Sequence, residues 1–275
     1  MTRTVDGSQT VITHATKAGR FPGRRNADVI ASDRLTSGVY RLTFRDAYIA
    51  GHARPAQFVT LYSANSTRLM PRPLGVCSTS GDEVSVVYAV VGEGTEEFSH
   101  LSAGDGVDVM GPLGRPYDLR ASAHYVLVGG GLGVPPLVYA AQHLSQRDDV
   151  AVTSVFGYRD ERFADDLVAP FVTRTESITN AEGNVITLLD RLEDSLDDVG
   201  LPTVILSCGP TPMMRAVANW ARPRGIATQF SLESRMGCGY GTCVVCAVDT
   251  VEGRLKVCSD GPVFTAEKLG WGEQA

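Results

Sequence analysis

Between residues 27 and 120, apolar and polar positions alternate in short runs: DVIASDRL, GVYRLTFR, AQFVTLYS, EVSVVYAVV and DGVDVMGPL. Gly, Pro, Asn, Asp and Ser separate the runs. A period of two places alternate side chains on one buried face, so each run reads as a strand. Many short strands with turn residues between them predict an antiparallel barrel or sandwich. Helical spacing is confined to TEEFSHLS, 95–102. The pattern changes near residue 121. The apolar run HYVLV (124–128) leads into GGGLG (129–133), and VPPLVYAAQHLSQRD then reads as a helix. A strand AVTSVFGY (151–158) and a helical DDLVAPFV (165–172) come next. The helical NVITLLDRLEDSL follows a short strand. TVILSCGP (203–210) is a buried strand ending in a turn, TPMMRAVANWARPRG a helix with Pro212 in its first turn, and ATQFSLE (227–233) a closing strand. Strands alternating with helices predict a doubly wound parallel sheet. Beyond 233 the pattern dissolves into loop and cysteine, apart from a hairpin VDTVEGRLKV (248–257) that turns at Glu252-Gly253.

The expected organisation is therefore an extension at 1–26, a β-barrel at 27–120, an α/β domain at 121–233 and a small cysteine-bearing segment at 234–275. The extension has no apolar core of the kind a secretory signal needs, and is expected to be disordered. A length of 275 residues suits two domains and an appendage, and 43% hydrophobic residues with 20% charged exclude whole-chain disorder. A net charge of −6 argues against nucleic acid or an anionic membrane surface as partner. No apolar run approaches the roughly 18 residues a spanning helix needs. A cytoplasmic chain is expected, and in a reducing compartment its six cysteines are not read as disulfides.

Cys77 and Cys208 stand alone. Cys238, Cys243, Cys246 and Cys258 fall within 21 positions, spaced C-x4-C-x2-C-x11-C. Thiolate is a soft ligand, so an iron–sulfur cluster and zinc are the candidates. Structural zinc sites usually present ligand pairs two to four residues apart. The opening C-x4-C-x2-C matches plant-type [2Fe–2S] spacing instead, with the fourth cysteine later. Gly237, Gly239 and Gly241 surround the first ligand, as a loop that turns its N–H groups toward sulfur requires. Structural zinc, or inert buried thiols, are the competing readings.

Three further segments have the chemistry of nucleotide binding. In RPLG (72–75), Arg72 offers a planar fork suited to phosphate. VGEGTEEF (91–98) puts Gly92 and Gly94 at a strand end and Thr95 at a helix N-cap position, where free N–H groups favour a pyrophosphate. GGGLG follows a strand and opens a helix, but Val134 stands where the dinucleotide fingerprint has its third glycine. SCGP (207–210) ends a parallel strand at the carboxyl edge where ligands bind, so Cys208 can face a nicotinamide or be a small buried hydrophobe. Cys77 is assigned no chemistry. Arg159 and Arg162 follow the second strand of the α/β domain, where a 2′-phosphate binds, and leave NADP open as an alternative to NAD.

The order RPLG, GEGT, GGGLG, SCGPTPMM, SLESRMGCGYGTCVVC and KVCSDGPVF resembles the electron transfer subunits of B-type, NAD-dependent dihydroorotate dehydrogenases, within the ferredoxin–NADP reductase superfamily. The resemblance covers about 27–264. It implies an FAD-binding barrel, an NAD-binding α/β domain and one [2Fe–2S] cluster. It places FAD contacts on Arg72, Pro73, Leu74, Gly75, Val87, Tyr88, Ala89, Gly94 and Thr95. It places NAD over Gly129, Gly130, Gly131, Gly133, Cys208, Gly209 and Pro210, and the cluster on Cys238, Cys243, Cys246 and Cys258. The chain departs from the family at Gly75, usually a serine, and at Ala89, often an arginine. The implied partner is an FMN-containing catalytic subunit that oxidises dihydroorotate, in a heterotetramer with two of each subunit. Its electrons would reach NAD+ through the cluster and FAD, in pyrimidine biosynthesis. Two other readings stay open: a subunit serving a hydrogenase or ferredoxin, and a non-catalytic zinc-binding interaction module.

Overall fold

The computed structural model describes residues 22–272. The first six strands are β1 (Arg25–Thr36), β2 (Val39–Arg45), β3 (Phe58–Tyr62), β4 (Arg72–Ser80), β5 (Glu83–Ala89) and β6 (Gly106–Leu113). They close an antiparallel barrel in the order β1-β2-β5-β4-β3-β6. Leu42, Phe44, Val59, Leu61, Val86 and Val109 fill it, the inward half of each alternating run. Two short helices cover its ends, α1 (Ala47–His52) and α2 (Glu93–Ser99). Helix α2 starts two residues before the expected 95–102 and stops at Ser99. Gly92, rather than Thr95, is its N-cap. Most of the expected extension lies outside the described residues, but Arg25 and Asn26 already belong to β1. The Arg25 side chain is buried because its guanidinium grips Asp46 through two bonds of 2.7 and 2.9 Å. Asp46 in turn caps α1 by accepting from Ile49 N at 2.8 Å.

Strands β7 (His124–Gly130), β8 (Ala151–Tyr158), β9 (Arg174–Thr179), β10 (Thr203–Cys208) and β11 (Ala227–Ser231) form the parallel part of a second sheet. Helices α3 (Val134–Leu144), α4 (Asp165–Val168), α5 (Val185–Asp197) and α6 (Thr211–Ala221) accompany them. The expected single helix over 165–172 breaks, and residues 169–171 form a 3-10 turn where Pro170 enters. Asn184 caps α5, accepting from Ile186 N at 2.9 Å.

The cysteine-bearing segment contributes a hairpin, β12 (Ala247–Thr250) and β13 (Gly253–Lys256), then β14 (Val263–Thr265) and α7 (Ala266–Leu269). Strand β14 pairs antiparallel with β11, giving the sheet order β14-β11-β10-β7-β8-β9. The expected all-parallel sheet therefore has an antiparallel edge strand from the next segment. One core cluster joins all three parts: Phe58 and Met110 of the barrel, Val126 and Phe230 of the sheet, and Cys246, Cys258 and Phe264 of the tail.

Candidate functional site

The cysteine loop is built by backbone. Gly239 and Gly241 take φ of +82° and +90°, a region that side chains disfavour. A Cβ on Gly237 would lie 3.1 Å from Cys243 Sγ, so the absence of a side chain makes room for that sulfur. Burial alone would raise the pKa of Cys238, but N–H groups of Cys243, Tyr240 and Thr242 turn to its sulfur and lower it to about 6. The Cys243 N–H lies 3.4 Å from Cys238 Sγ. Cys246 Sγ and Cys258 Sγ are 3.2 Å apart in the core. Burial, then the Cys246 sulfur beside it, pushes Cys258 up to about 12. The structure thus brings the four cysteines into two pairs, one loop-bound and one buried. Among the described residues no three His, Cys, Asp or Glu side chains are gathered into a metal-ligating group. The donor set of four thiols without histidine, one sulfur already bathed in N–H groups, fits an iron–sulfur cluster.

This loop rests on the barrel. A Cβ on Gly239 would lie 3.0 Å from Thr60 Cγ2 and 3.4 Å from Leu113 Cδ1. Arg115 N donates to Gly261 O at 2.6 Å, and its Nε donates to Ser259 O at 3.1 Å, next to Cys258.

The second group of residues lies on β4 and α2. The Arg72 guanidinium sits over the bare α-carbon of Gly94, where a Cβ would come within 2.1 Å of it. This cradle brings a cation and small backbone together, as a pyrophosphate requires. Pro73 and Leu74 continue along β4. Gly75 faces Pro136 at the start of α3, and a Cβ would meet its Cγ at 2.6 Å. On β5, Val87 turns toward the α/β domain, while Tyr88 points into the barrel beside Phe98. The buried Tyr88 hydroxyl has no partner among the described residues. Ala89 ends β5. Thr95 is buried at the third position of α2. Its hydroxyl accepts from Val91 N at 2.9 Å and Gly92 N at 3.2 Å and donates to Gly92 O. Its side chain is therefore spent on shaping the loop, not free at the helix start.

The third group is the carboxyl edge of the sheet. Gly129 and Gly130 end β7, and Gly131 to Gly133 form a 3-10 turn into α3. A Cβ on Gly133 would fall 2.3 Å from Cys208 O and 2.5 Å from Gly209 N. A Cβ on Gly130 would meet Met213 Sδ at 2.5 Å and Pro210 Cδ at 3.0 Å. The two strand ends thus meet where glycine backbone lies against backbone, with the Met213 and Pro210 side chains filling the remaining space. Val134, which replaces the expected third glycine, is buried, and its Cγ2 occupies the space beside Gly129. Cys208 is buried too. Burial first, then the carboxylate of Glu233, raises its pKa, so the thiol stays neutral. Cys77, on β4 and packed against the α/β domain, is pushed up to about 12 by burial and is equally inert.

Glu233 and Tyr117 were not anticipated here. Tyr117 OH donates to Ser207 O at 3.1 Å, joining the end of the barrel to β10. The S-L-E that begins at the last residue of β11 is the signal that marks Glu233. Beyond β8, Arg162 is engaged: Nε donates to Ser177 Oγ at 2.9 Å and Nη2 to Glu182 Oε2 at 2.6 Å.

Residues 233–270 match the family model described as the iron–sulfur cluster binding domain of dihydroorotate dehydrogenase B. Along the whole chain, the dihydroorotate dehydrogenase B (NAD(+)) electron transfer subunit of Listeria monocytogenes is 34% identical over 253 residues, covering 88% of this chain and 96% of that one. The chain belongs to the family of dihydroorotate dehydrogenase B electron transfer subunits. The Geobacillus thermodenitrificans electron transfer subunit is 35% identical over 257 residues, with 90% and 98% covered. Among solved structures, the NADH-dependent reduced ferredoxin–NADP oxidoreductase superposes with a TM-score of 0.80 at 27% identity, over 89% of this chain and 90% of that one. The ferredoxin–NADP+ reductase of Plasmodium falciparum shares the fold, with a TM-score of 0.59 at 11% identity, over 74% of this chain and 95% of its own. Like these reductases, this electron transfer subunit joins an antiparallel barrel to an α/β domain. Among the described residues no helix is long and apolar enough to cross a membrane.

Proposed function

We propose that this chain carries electrons from an FMN-containing catalytic subunit that oxidises dihydroorotate to NAD+, within the formation of pyrimidine nucleotides. The observation that carries this reading is the shared core. Cys246 and Cys258 pack in one cluster with Phe58 of the barrel and Val126 of the sheet, so the thiols and both nucleotide-binding parts form one body. Arg72 and Gly94 would hold the pyrophosphate of FAD, and β4 from Pro73 to Gly75 would line its ring system. Gly130, Gly133 and Gly209 would admit NAD to the edge of the sheet. Cys238, Cys243, Cys246 and Cys258 would hold a [2Fe–2S] cluster. When bound, flavin exchanges hydride with nicotinamide and single electrons with an iron–sulfur cluster, which is the conversion this reaction needs.

The chain's own contribution is position and burial. The neutral Cys208 thiol puts no charge at the nicotinamide edge, and Pro136 against Gly75 fixes the distance between the two nucleotide-binding parts. Tyr240, Val244 and Val245 are exposed apolar side chains on the cysteine loop. They would meet the catalytic subunit in a complex with two copies of each, in the cytoplasm.

Chain purified without oxygen should be yellow-brown, with iron and acid-labile sulfide. Cys243→Ser should lose the iron signal and transfer to the partner while NADH oxidation by an artificial acceptor persists. A colourless chain containing zinc would overturn the reading in favour of an interaction module. The likeness to the NADH-dependent ferredoxin–NADP oxidoreductase favours a second reading, in which a ferredoxin-type protein is the partner. Identifying the protein that co-purifies with this chain separates the two.

A further inference from the structure

Leu69, Met70 and Val91 are exposed by 81%, 50% and 82%, and among the described residues no other large hydrophobic of the barrel is exposed. All three belong to the segments that carry Arg72 and Gly94. Arg72 Nη1 donates to Met70 O at 2.7 Å, which ties the segment before β4 to the guanidinium. The same segment is closed onto α2 through Glu97. Its carboxylate accepts from Ala64 N at 2.7 Å and Arg68 Nη1 at 2.9 Å, and the Ser63 hydroxyl donates to it as well. Arg68 also donates through Nε to Glu93 Oε2 at 3.0 Å and through Nη1 to Glu93 O at 3.2 Å. Residues 63–70 are therefore held in place with their apolar side chains facing water. Such a surface is costly to leave open and marks a contact.

Its place along the strand says what it contacts. A strand rises about 3.3 Å per residue, so Gly75 lies about 10 Å from Arg72 along β4. Gly75 abuts Pro136, on the side of the α/β domain where nicotinamide binds. With the pyrophosphate at Arg72 the flavin ring must take the Gly75 side, where hydride can pass. The other half of FAD, its adenosine, then falls on the side of Met70 and Leu69. A purine is a flat aromatic ring that gains from apolar and thioether contact. We propose that Leu69, Met70 and Val91 form an apolar lip that covers the adenine ring of FAD, held closed by the Arg68–Glu97 ion pair. This rests on the reading that Arg72 and Gly94 hold the cofactor's pyrophosphate. The lip makes the site select FAD over FMN, which lacks the adenosine.

The test is equilibrium binding, independent of turnover. The full chain, freed of flavin, is titrated with FAD and with FMN by flavin fluorescence, and with ADP as competitor. Wild type should bind FAD more tightly than FMN. The double variant Leu69→Ser/Met70→Ser should lose about tenfold in FAD affinity and in competition by ADP, with FMN unchanged. Both positions are exposed, so the variant should keep the wild-type circular dichroism. Glu97→Gln should move FAD affinity in the same direction, without affecting FMN. If wild type prefers FAD and the variants keep that preference, or lose FAD and FMN equally, the lip is wrong while the cofactor reading stands. If wild type binds neither flavin, the cofactor reading falls and the lip with it.

Discussion

Single glycines decide the edge of the sheet, each for a different reason. Gly133 needs to be bare because backbone faces it: Cys208 O would be 2.3 Å from a Cβ. No side chain can turn away to relieve that clash. Gly133→Ala should therefore destabilise the fold by about 1–3 kcal/mol in urea melts, and should raise the KM for NADH as the loop shifts. Gly131 is different. It has open space but φ of +53°, so Gly131→Ala carries only the backbone penalty of about 1–2 kcal/mol. Asparagine should be tolerated better there than alanine. GGGLG was legible as a strand-to-helix loop, but the need for glycine at Gly130 and Gly133 was not, because it comes from Cys208 to Met213, 75 positions or more further along. The same holds for the incomplete fingerprint. Val134 is tolerated because the helix packs its side chain against Gly129 instead of approaching as bare backbone.

At the level of elements, β1, β2, β3, β5 and β6 were legible as short apolar–polar runs between turn residues, whereas β4 was not, because Arg72–Ser80 carries no alternating run and is only partly buried along its first half. Helix α3 was legible as a helix but not in its orientation. Val134 to Ala141 are buried on every side, so no apolar stripe says which face meets which neighbour. That face joins the two domains. Tyr139 OH donates to Ala53 O at 2.9 Å, and Gln142 exchanges bonds with the backbone of Thr79 at 3.0 and 3.3 Å. Tyr139→Phe should cost about 1–2 kcal/mol, since Ala53 O loses its donor in a buried place. Pro136 against Gly75 is a close contact of the seam, where a Cβ would lie 2.6 Å from the proline Cγ. Gly75→Ser, which restores the residue usual in the family, should destabilise by about 1–3 kcal/mol. Pro136→Ala should reverse much of that, and a double-mutant cycle on thermal melts measures the coupling. The departure at Gly75 is thus a packing match with Pro136, which the sequence pattern could not reveal because the two positions belong to different domains.

At the scale of the whole molecule, the tail is the part the pattern described least. Its four cysteines were plain from spacing, yet β14 is only three residues long and too short for a periodic signal. That strand makes the segment a wedge between the two domains instead of a hanging module. It pairs with β11 on one side, while Arg115 grips Ser259 and Gly261 on the other. The wedge leaves an apolar surface outward on the cysteine loop, with Val244 exposed by 72% beside Tyr240 and Val245. Because Cys243 and Cys246 flank Val244 and Val245, whatever protein covers this surface lies directly over the thiols. Electron exchange with a partner and docking of that partner are then the same contact. Val244→Asp places a charge at the centre of it without touching Arg72 or the glycine edge. The variant should keep its iron content and its NADH oxidation by an artificial acceptor. It should fail to elute with the catalytic subunit in gel filtration, and lose transfer from dihydroorotate in proportion. Intact co-elution with unimpaired transfer would move the partner to another face of the molecule.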